Sequence, residues 1–278
     1  METDTQSSEQ PKKPTFEPHD PELYSPGSFA KGVSTLADIG PEAIASYKEH
    51  GYLVVENALS AKEVEETLAL IDTLVEGGWR GVCYEAGAEK GENVLVRKLA
   101  FHGDEARECG LLVDHPALMK ATRTLLGDRN PVLHQTMMLL KPPRVGREKP
   151  WHQDHAYFDV DVEDRMIGLW IALDEATVEN GCMQFLDGGH KLGPIPHWMR
   201  RDWQICDTDI MGKKSVAVPL KPGGMIFFDS LTPHGTPNNN SPLPRKAVQL
   251  HYAPKEHRPV DGEERMAVFG SEGRDVSC

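Results

Sequence analysis

The sequence predicts a mainly β protein with flanking helices, an α+β fold built on one β-sandwich or barrel. Three observations predict it. Beyond residue 130, short apolar runs follow one another: "VLHQTMMLLK", "MIGLWIALD", "GCMQFLD", "SVAVPL", "MIFFDS" and "KAVQLHYA". Turn-forming stretches such as "VENG", "DGGHKLGP", "KPGG" and "TPHGTPNNNSPLP" separate them, the pattern of closely spaced strands. The helical segments are gathered in the N-terminal half and do not alternate with these strands, which disfavours an all-parallel sheet. At 278 residues the chain is long enough to bury one large core.

Taken in order, residues 1–35 are rich in Pro, Ser, Glu and Asp and poor in apolar groups, and are expected to form a flexible N-terminal arm. Residues 36–278 are expected to form a single domain with its core at about 41–255. "GPEAIASYKEHG" reads as a helix with Pro41 in its first turn and Gly51 at its end. "YLVVENAL" reads as a strand. Ser60 and Glu63 form a capping-box pattern ahead of Val64, Leu68, Ile71 and Val75, which recur on one helical face until Gly77 and Gly78. "NVLVRKLAF", Asn93 to Phe101, reads as a strand, and Pro116 to Leu126 as a helix closed by Gly127.

The net charge of −13 argues against nonspecific binding to nucleic acid or anionic membrane. No apolar run approaches the roughly 20 residues needed to cross a bilayer. The N-terminal "METDTQSSEQ" is acidic and polar, unlike a signal or transit peptide. The five cysteines are scattered and include no C-x-x-C pair, so they read as reduced thiols in the cytoplasm. Oligomeric state is not legible, and a monomer or a weak homodimer fits equally.

The chemistry concentrates in "PWHQDHAYFDV", Pro150 to Val160. His152 and Asp154, two residues apart, point to one face of an extended chain. His234, in "FFDSLTPHGTPNN", stands just past an apolar strand, at the mouth of a sandwich, where small barrels build their sites. Two histidines and one carboxylate with open coordination positions form the facial triad of non-haem Fe(II) oxygenases. His155 and His251 compete with these three. His155 reads as a solvated histidine or one that backs a ligand, and His251 as a core or cavity-lining residue. Arg245 follows His234 at the start of "RKAVQLHYA". A guanidinium there suits a carboxylate, and a metal beside a buried arginine suits 2-oxoglutarate, whose 2-oxo acid end chelates and whose far carboxylate meets the cation. Without the metal pair, Arg245 reads as an ordinary surface arginine.

The stretches "HQTMMLLKPP", "WHQDHAYF", "LWIALDEATVENGCMQFLDGGHK", "GGMIFFDSLTPHGTPNNN" and "PRKAVQLHYA" resemble the phytanoyl-CoA dioxygenase (PhyH) family of Fe(II)/2-oxoglutarate oxygenases. "YKEHGYLVVENALSAKEVEE" resembles how these proteins begin. The resemblance covers about residues 41–255. It implies a double-stranded β-helix (jelly roll, cupin-like) core with the N-terminal helices packed outside. It also implies that His152, Asp154 and His234 bind Fe(II) and that Arg245, with Thr236, binds the far carboxylate of 2-oxoglutarate. Met137 and Trp170 match positions that line the cosubstrate pocket, and Lys98 matches a lysine that assists cosubstrate binding. Gln135 lies on the same strand face as Met137 and is expected to face the cavity. Tyr157 and Phe158 form a substrate wall or simply pack.

The implied activity is a dioxygenase that uses O2 and 2-oxoglutarate to hydroxylate an aliphatic C–H of a small organic or acyl substrate, releasing succinate and CO2. The retained Asp154 argues against halogenation. "DGGHK", Asp187 to Lys191, departs from the family pattern in a loop expected near the rim of the site. The long stretch from Leu192 to Lys214 carries Trp198, Arg200, Arg201, Trp203, Lys213 and Lys214. It reads as a lid suited to an anionic or amphipathic substrate, or as a solvated loop. Two other readings stand beside the oxygenase: a cupin-like metalloenzyme that does not use 2-oxoglutarate, and a noncatalytic metal- or ligand-binding protein on the same fold. No G-x-S-x-G elbow, H-E-x-x-H helix or P-loop anchors a hydrolase, zincin or nucleotide triphosphatase.

Overall fold

The computed structural model describes residues 19–89 and 91–270. Residues 1–18, half of the predicted arm, lie outside the described residues, as does Cys278. In chain order the elements begin with β1 (Pro26–Phe29), β2 (Val33–Thr35), α1 (Pro41–His50), β3 (Tyr52–Asn57), α2 (Ala61–Glu76), β4 (Val82–Tyr84), β5 (Val96–Phe101), α3 (Glu105–Glu108) and α4 (Pro116–Leu125). The sandwich strands follow: β6 (Pro131–Lys141), β7 (Lys149–His152), β8 (Ile167–Ala172) and β9 (Met183–Leu186). A small hairpin, β10 (His197–Met199) and β11 (Trp203–Ile205), and α5 (Asp207–Ile210) interrupt them. Then come β12 (Ser215–Val218), β13 (Met225–Asp229), β14 (His234–Thr236), β15 (Arg245–Pro254) and α6 (Gly262–Phe269).

Two sheets face each other. The larger runs β2-β3-β13-β8-β15-β6-β5-β4 and the smaller β1-β12-β9-β14-β7. The chain crosses between them repeatedly. Strands β6, β8, β13 and β15 are neighbours in the larger sheet, and β7, β9, β12 and β14 are neighbours in the smaller. These strands pair antiparallel throughout. That connectivity is the double-stranded β-helix, or jelly roll, with β1 to β5 extending both sheets.

The period of two explains why the central strands read as unbroken apolar runs. In β13, Met225 and Phe227 face the helices, while Ile226 and Phe228 face the smaller sheet. In β8, Ile167, Leu169 and Ile171 face the helices, and Trp170 and Ala172 face inward. The helical layer supplies Ala43 and Tyr47 from α1, Val64 and Ile71 from α2, and Leu118, Ala121 and Leu125 from α4. Pro41 opens α1, and Gly51, at φ +82°, closes it in the left-handed region that favours glycine. The Ser60–Glu63 capping box forms as the pattern predicts: Ser60 N–H donates to Glu63 Oε2 at 2.7 Å and Glu63 N–H to Ser60 Oγ at 3.3 Å.

One expectation is corrected where the structure describes it. The second half of the predicted arm is docked. β1 pairs with β12 and β2 with β3, each in parallel. Leu23 and Tyr24 are buried, the Trp151 indole N–H donates to Leu23 O at 2.9 Å, and the Tyr24 and Trp151 rings stack 5.8 Å apart. These strands of four and three residues are too short to show a sequence period, and their backbone partners lie on distant strands. At the other end, Met266 and Phe269 of α6 pack against Ala156, Trp203 and Leu231, beneath the segment that follows β7.

Candidate active site

β7 and β14 are adjacent, and their register places His152 directly across from His234. The rings lie 4.3 Å apart, centroid to centroid. Each Nδ1–H donates to a backbone carbonyl two residues earlier, His152 to Pro150 O at 2.7 Å and His234 to Thr232 O at 2.9 Å. Both tautomers are thereby fixed with the Nε2 lone pair toward Asp154. Gln153 continues the extended chain, and Asp154 opens a short 3₁₀ turn through Tyr157 that brings its carboxylate back to the pair. Asp154 Oδ1 lies 3.2 Å from His152 Nε2 and 3.6 Å from His234 Nε2. Among the described residues, these three are the cluster of donors close enough to share one metal ion, and all are buried. Among the described residues, His234 Nε2 has no hydrogen-bond partner. Burial pushes the His234 imidazole down to about 3, so it is a neutral base at neutral pH. Burial alone would raise the Asp154 carboxyl, but the surrounding imidazoles and N–H donors outweigh it and hold it well below the usual carboxylate range.

Asp154 is fixed from its other side. Oδ2 accepts from His251 Nε2–H at 2.6 Å and Gln249 Nε2–H at 3.1 Å. Both donors come from β15, whose inward residues are Arg245, Ala247, Gln249 and His251. Sequence reading left His251 as core or lining; it is buried behind the cluster and orients the carboxylate. His155 is buried rather than solvated. It donates from Nε2 to Val160 O at 3.0 Å and accepts at Nδ1 from Ser230 Oγ at 2.8 Å, so it is fully engaged away from the cluster. Gly168 makes room for this arrangement: a Cβ there would stand 2.3 Å from the Phe228 ring, which packs edge-on against His234.

A cavity of about 300 Å³ opens from the cluster, and Lys98, Gln135, Met137, Trp170, Thr236 and Arg245 all line it. Arg245 is 3% exposed, yet among the described residues Nε and Nη1 have no hydrogen-bond partner. Its guanidinium sits 5.2 Å from the Trp170 ring centroid, and Trp170 Nε1 is likewise without a partner. Burial pushes the arginine down to about 10, still charged at neutral pH. A buried guanidinium without an anion is costly, so this pole of the cavity calls for a carboxylate from a ligand. Thr236 Oγ1 accepts from Lys141 Nζ at 2.7 Å, which leaves its hydroxyl hydrogen for that ligand. Lys141 also donates to the Pro237 carbonyl and is deeply buried, and burial together with Arg245 lowers its pKa well below the usual lysine range. Sequence reading missed Lys141 because it ends an apolar run, although the period of two from Met137 and Leu139 places it inside. Lys98, on β5, pairs with Leu139 and has no ion-pair partner among the described residues.

A family profile for phytanoyl-CoA dioxygenase (PhyH) matches residues 47–247, most of the chain. The chain belongs to the phytanoyl-CoA dioxygenase family. Phytanoyl-CoA dioxygenase domain-containing protein 1 of Bos taurus is 27% identical over 266 residues, spanning 78% of this chain and 90% of its own. The ectoine dioxygenase of Bordetella bronchiseptica is 28% identical over 252 residues, spanning 84% and 79%. Among solved structures, EvdO2 of Micromonospora carbonacea var. aurantiaca complexed with 2-oxoglutarate aligns with a TM-score of 0.66 at 28% identity, covering 84% of this chain and 98% of that one. As a phytanoyl-CoA dioxygenase family member, the protein is an Fe(II)- and 2-oxoglutarate-dependent oxygenase. Its own atoms fit that cofactor set: two imidazoles and a carboxylate suit Fe(II), and the buried Arg245, whose Nε and Nη1 have no hydrogen-bond partner among the described residues, suits the cosubstrate.

Two expectations about the rim are corrected. Asp187 to Lys191 does not border the cavity. It packs beside the end of α1, where Asp187 Oδ1 accepts from His50 Nδ1 at 2.7 Å and His190 Nε2–H donates to Lys48 O at 3.1 Å. The stretch from Leu192 to Lys214 is folded and anchored, not a solvated loop. Trp203 is fully buried, Arg201 pairs with Glu148 and Asp207, and Asp202 pairs with Lys149 at 2.7 Å. Much of its charge is consumed in these pairs. No helix among the described residues is long and apolar enough to cross a membrane.

His197 of this stretch has a role that pH reveals. Its Nε2 accepts from the Gln153 N–H at 3.0 Å and its Nδ1–H donates to Ile195 O at 2.7 Å, so the site requires the neutral ring. Burial pushes it down to about 3, against an ordinary value near 6.5. Between those values the unfolded chain binds a proton that the folded chain does not, so stability falls as pH drops from about 6.5 toward 3. Urea midpoints at pH 7, 5.5 and 4.5 should therefore decline less steeply in His197→Gln than in the wild type. Equal slopes would contradict this role.

Proposed function

We propose that the protein hydroxylates an aliphatic C–H bond of a small organic substrate, consuming 2-oxoglutarate and O2 and releasing succinate and CO2. The observation that carries this reading is the pairing, in one cavity, of the His152–Asp154–His234 cluster with the buried Arg245, whose Nε and Nη1 have no hydrogen-bond partner among the described residues. His152 and His234 would hold iron through Nε2 and Asp154 through Oδ1. Iron supplies the coordination positions at which O2 and the 2-oxo acid end of the cosubstrate meet. The remaining work falls to the chain. Arg245 and the Thr236 hydroxyl receive the far carboxylate, with Lys98 assisting. Trp170 and Met137 wall the cosubstrate and exclude water from it. Gln249 and His251 keep one oxygen of Asp154 occupied, so that the other faces the metal. Gln135 and Phe158 face the substrate.

A cupin-like enzyme that does not use 2-oxoglutarate would have no use for Arg245, whose burial without a partner supports the oxygenase reading over it. The scattered thiols of the sequence support a cytoplasmic location as part of the same proposal. The test is succinate formation from 2-oxoglutarate by purified protein given Fe(II), ascorbate and air. Slow substrate-free turnover is expected, accelerated by the right substrate. Absence of succinate from iron-loaded protein would sink the proposal.

A further inference from the structure

Lys141 closes β6 at the Arg245 end of the cavity, and the strand register sets the two residues side by side. It is buried, and its Nζ faces three oxygens: Thr236 Oγ1 at 2.7 Å, Thr236 O at 3.4 Å and Pro237 O. The two carbonyls can only accept, whereas the hydroxyl can accept or donate. A second donor is fixed on that hydroxyl, because the Lys149 N–H of β7 reaches Thr236 Oγ1 at 3.4 Å. Chain atoms enclose Nζ closely: a Cβ on Gly181 would stand 2.9 Å from it.

This geometry ties the direction of the Thr236 hydroxyl to the protons on Nζ. An ammonium has three N–H bonds, one for each oxygen. Both lone pairs of Oγ1 are then occupied, by Nζ and by the Lys149 N–H, and the hydroxyl hydrogen is left to point into the cavity. A neutral amine has two N–H bonds, which the carbonyls take, and one lone pair, which accepts the hydroxyl hydrogen. The hydroxyl then has nothing to donate to a ligand. Burial disfavours the ammonium, as do Arg245 on β15 and Arg97 on β5, while Glu85, after β4, and Glu148, before β7, favour it. The buried Cys182 thiol, ahead of β9, is the remaining titratable group that senses Lys141. A carboxylate arriving at Arg245 adds a negative charge to this pole and tips the balance toward the ammonium.

Building on the oxygenase reading above, we infer that Lys141 is a positioning residue for the cosubstrate: as an ammonium it turns the Thr236 hydroxyl onto the far carboxylate of 2-oxoglutarate, and binding draws one proton from solvent onto Nζ. No bond in the ligand changes. Lys141 acts through Thr236, since its own N–H bonds are spent on chain oxygens. Affinity is highest at a pH where the ammonium is already formed. It weakens, by up to about tenfold per pH unit, as pH rises through the ligand-free pKa of Lys141.

The test is titration calorimetry of 2-oxoglutarate under nitrogen on Fe(II)-loaded protein at pH 6.5, 7.5 and 8.5, each in two buffers of different ionisation enthalpy. The difference in heat between buffers counts the protons taken up. The wild type is expected to take up about 0.3 to 1 proton per 2-oxoglutarate at one or more of these pH values, and Lys141→Met about none. Thr236→Ser keeps the hydroxyl and should keep the uptake. Lys141→Met and Thr236→Val should each bind 2-oxoglutarate about tenfold or more weakly, from the loss of a hydrogen bond to a charged group. The double variant should be within about twofold of the weaker single, because both changes remove the same interaction. Unchanged iron stoichiometry shows that each variant is folded. No uptake by the wild type at any of the three pH values, equal uptake in Lys141→Met, or losses that multiply in the double variant overturn the inference. Failure of the iron-loaded wild type to bind 2-oxoglutarate at all would instead fail the oxygenase reading itself.

Discussion

Asp154→Ala is expected to abolish 2-oxoglutarate turnover and to leave the purified protein without stoichiometric iron. The carboxylate does two jobs at once. Oδ1 completes a donor set with two imidazoles whose tautomers the backbone has already fixed. Oδ2 is the acceptor for two buried N–H donors, from His251 and Gln249. Alanine removes the anionic ligand and also strands both donors, at a cost of about 1–3 kcal/mol each. The variant should therefore melt lower than the wild type even without metal. Wild-type protein should gain thermal stability on adding Fe(II) anaerobically, because the ion binds only the folded state, and the variant should not. Asp154→Asn separates the two jobs: it keeps the shape and loses the charge. It should recover part of the thermal stability and none of the turnover. Succinate production in either variant at the wild-type rate would contradict the ligand assignment.

Arg245→Met should weaken cosubstrate binding while making the ligand-free protein more stable. The apparent KM for 2-oxoglutarate should rise steeply. Breaking a buried charge pair by deleting one partner costs about 3–5 kcal/mol, which corresponds to roughly a hundredfold to a few thousandfold in affinity. The ligand-free protein, by contrast, should become more stable. In the wild type the guanidinium is buried over Trp170 with Nε and Nη1 unsatisfied, and methionine fills similar space without that burden. A lower KM, or a ligand-free variant that melts well below the wild type, would place Arg245 in a purely structural role. Measuring KM by succinate release and melting by calorimetry on one preparation settles both.

The chemistry was legible in the sequence where residue type alone restricts it. His152, Asp154 and His234 stand out because few other arrangements use two imidazoles and a carboxylate with open positions, and Arg245 because a cation beside a metal implies a ligand carboxylate. The long strands were legible too. β8 and β13 lie between the helices and the smaller sheet with both faces apolar, so their runs are unbroken, whereas β6 and β15 are apolar toward the helices and carry Gln135, Lys141, Arg245 and Gln249 on the cavity side. β7 and β14, which carry the two histidines, were not legible as strands. They have four and three residues, sit among prolines, and are held by pairing with each other and with β9 across long sequence distances. The same physics hid β1 and β2. Lys141 and Gln249 were reachable by counting in twos from Met137 and Arg245, and His251, read as a core or lining residue, lies on the same face, but their contacts with Thr236 and Asp154 join distant parts of the chain and no local pattern announces them. The anchoring of the stretch from Leu192 to Lys214 depended on ion pairs with Glu148 and Lys149, which no local pattern announces.

The central claim is that one cavity binds iron through His152, Asp154 and His234 and presents it to a 2-oxoglutarate molecule anchored by Arg245. The visible spectrum of the metal-free protein under nitrogen, recorded after adding Fe(II) and again after adding 2-oxoglutarate, tests it most directly. A metal-to-ligand charge-transfer band should appear only with the second addition, be missing in His152→Ala, and need far more 2-oxoglutarate in Arg245→Met. Iron bound at full stoichiometry with no band at saturating 2-oxoglutarate would contradict the account.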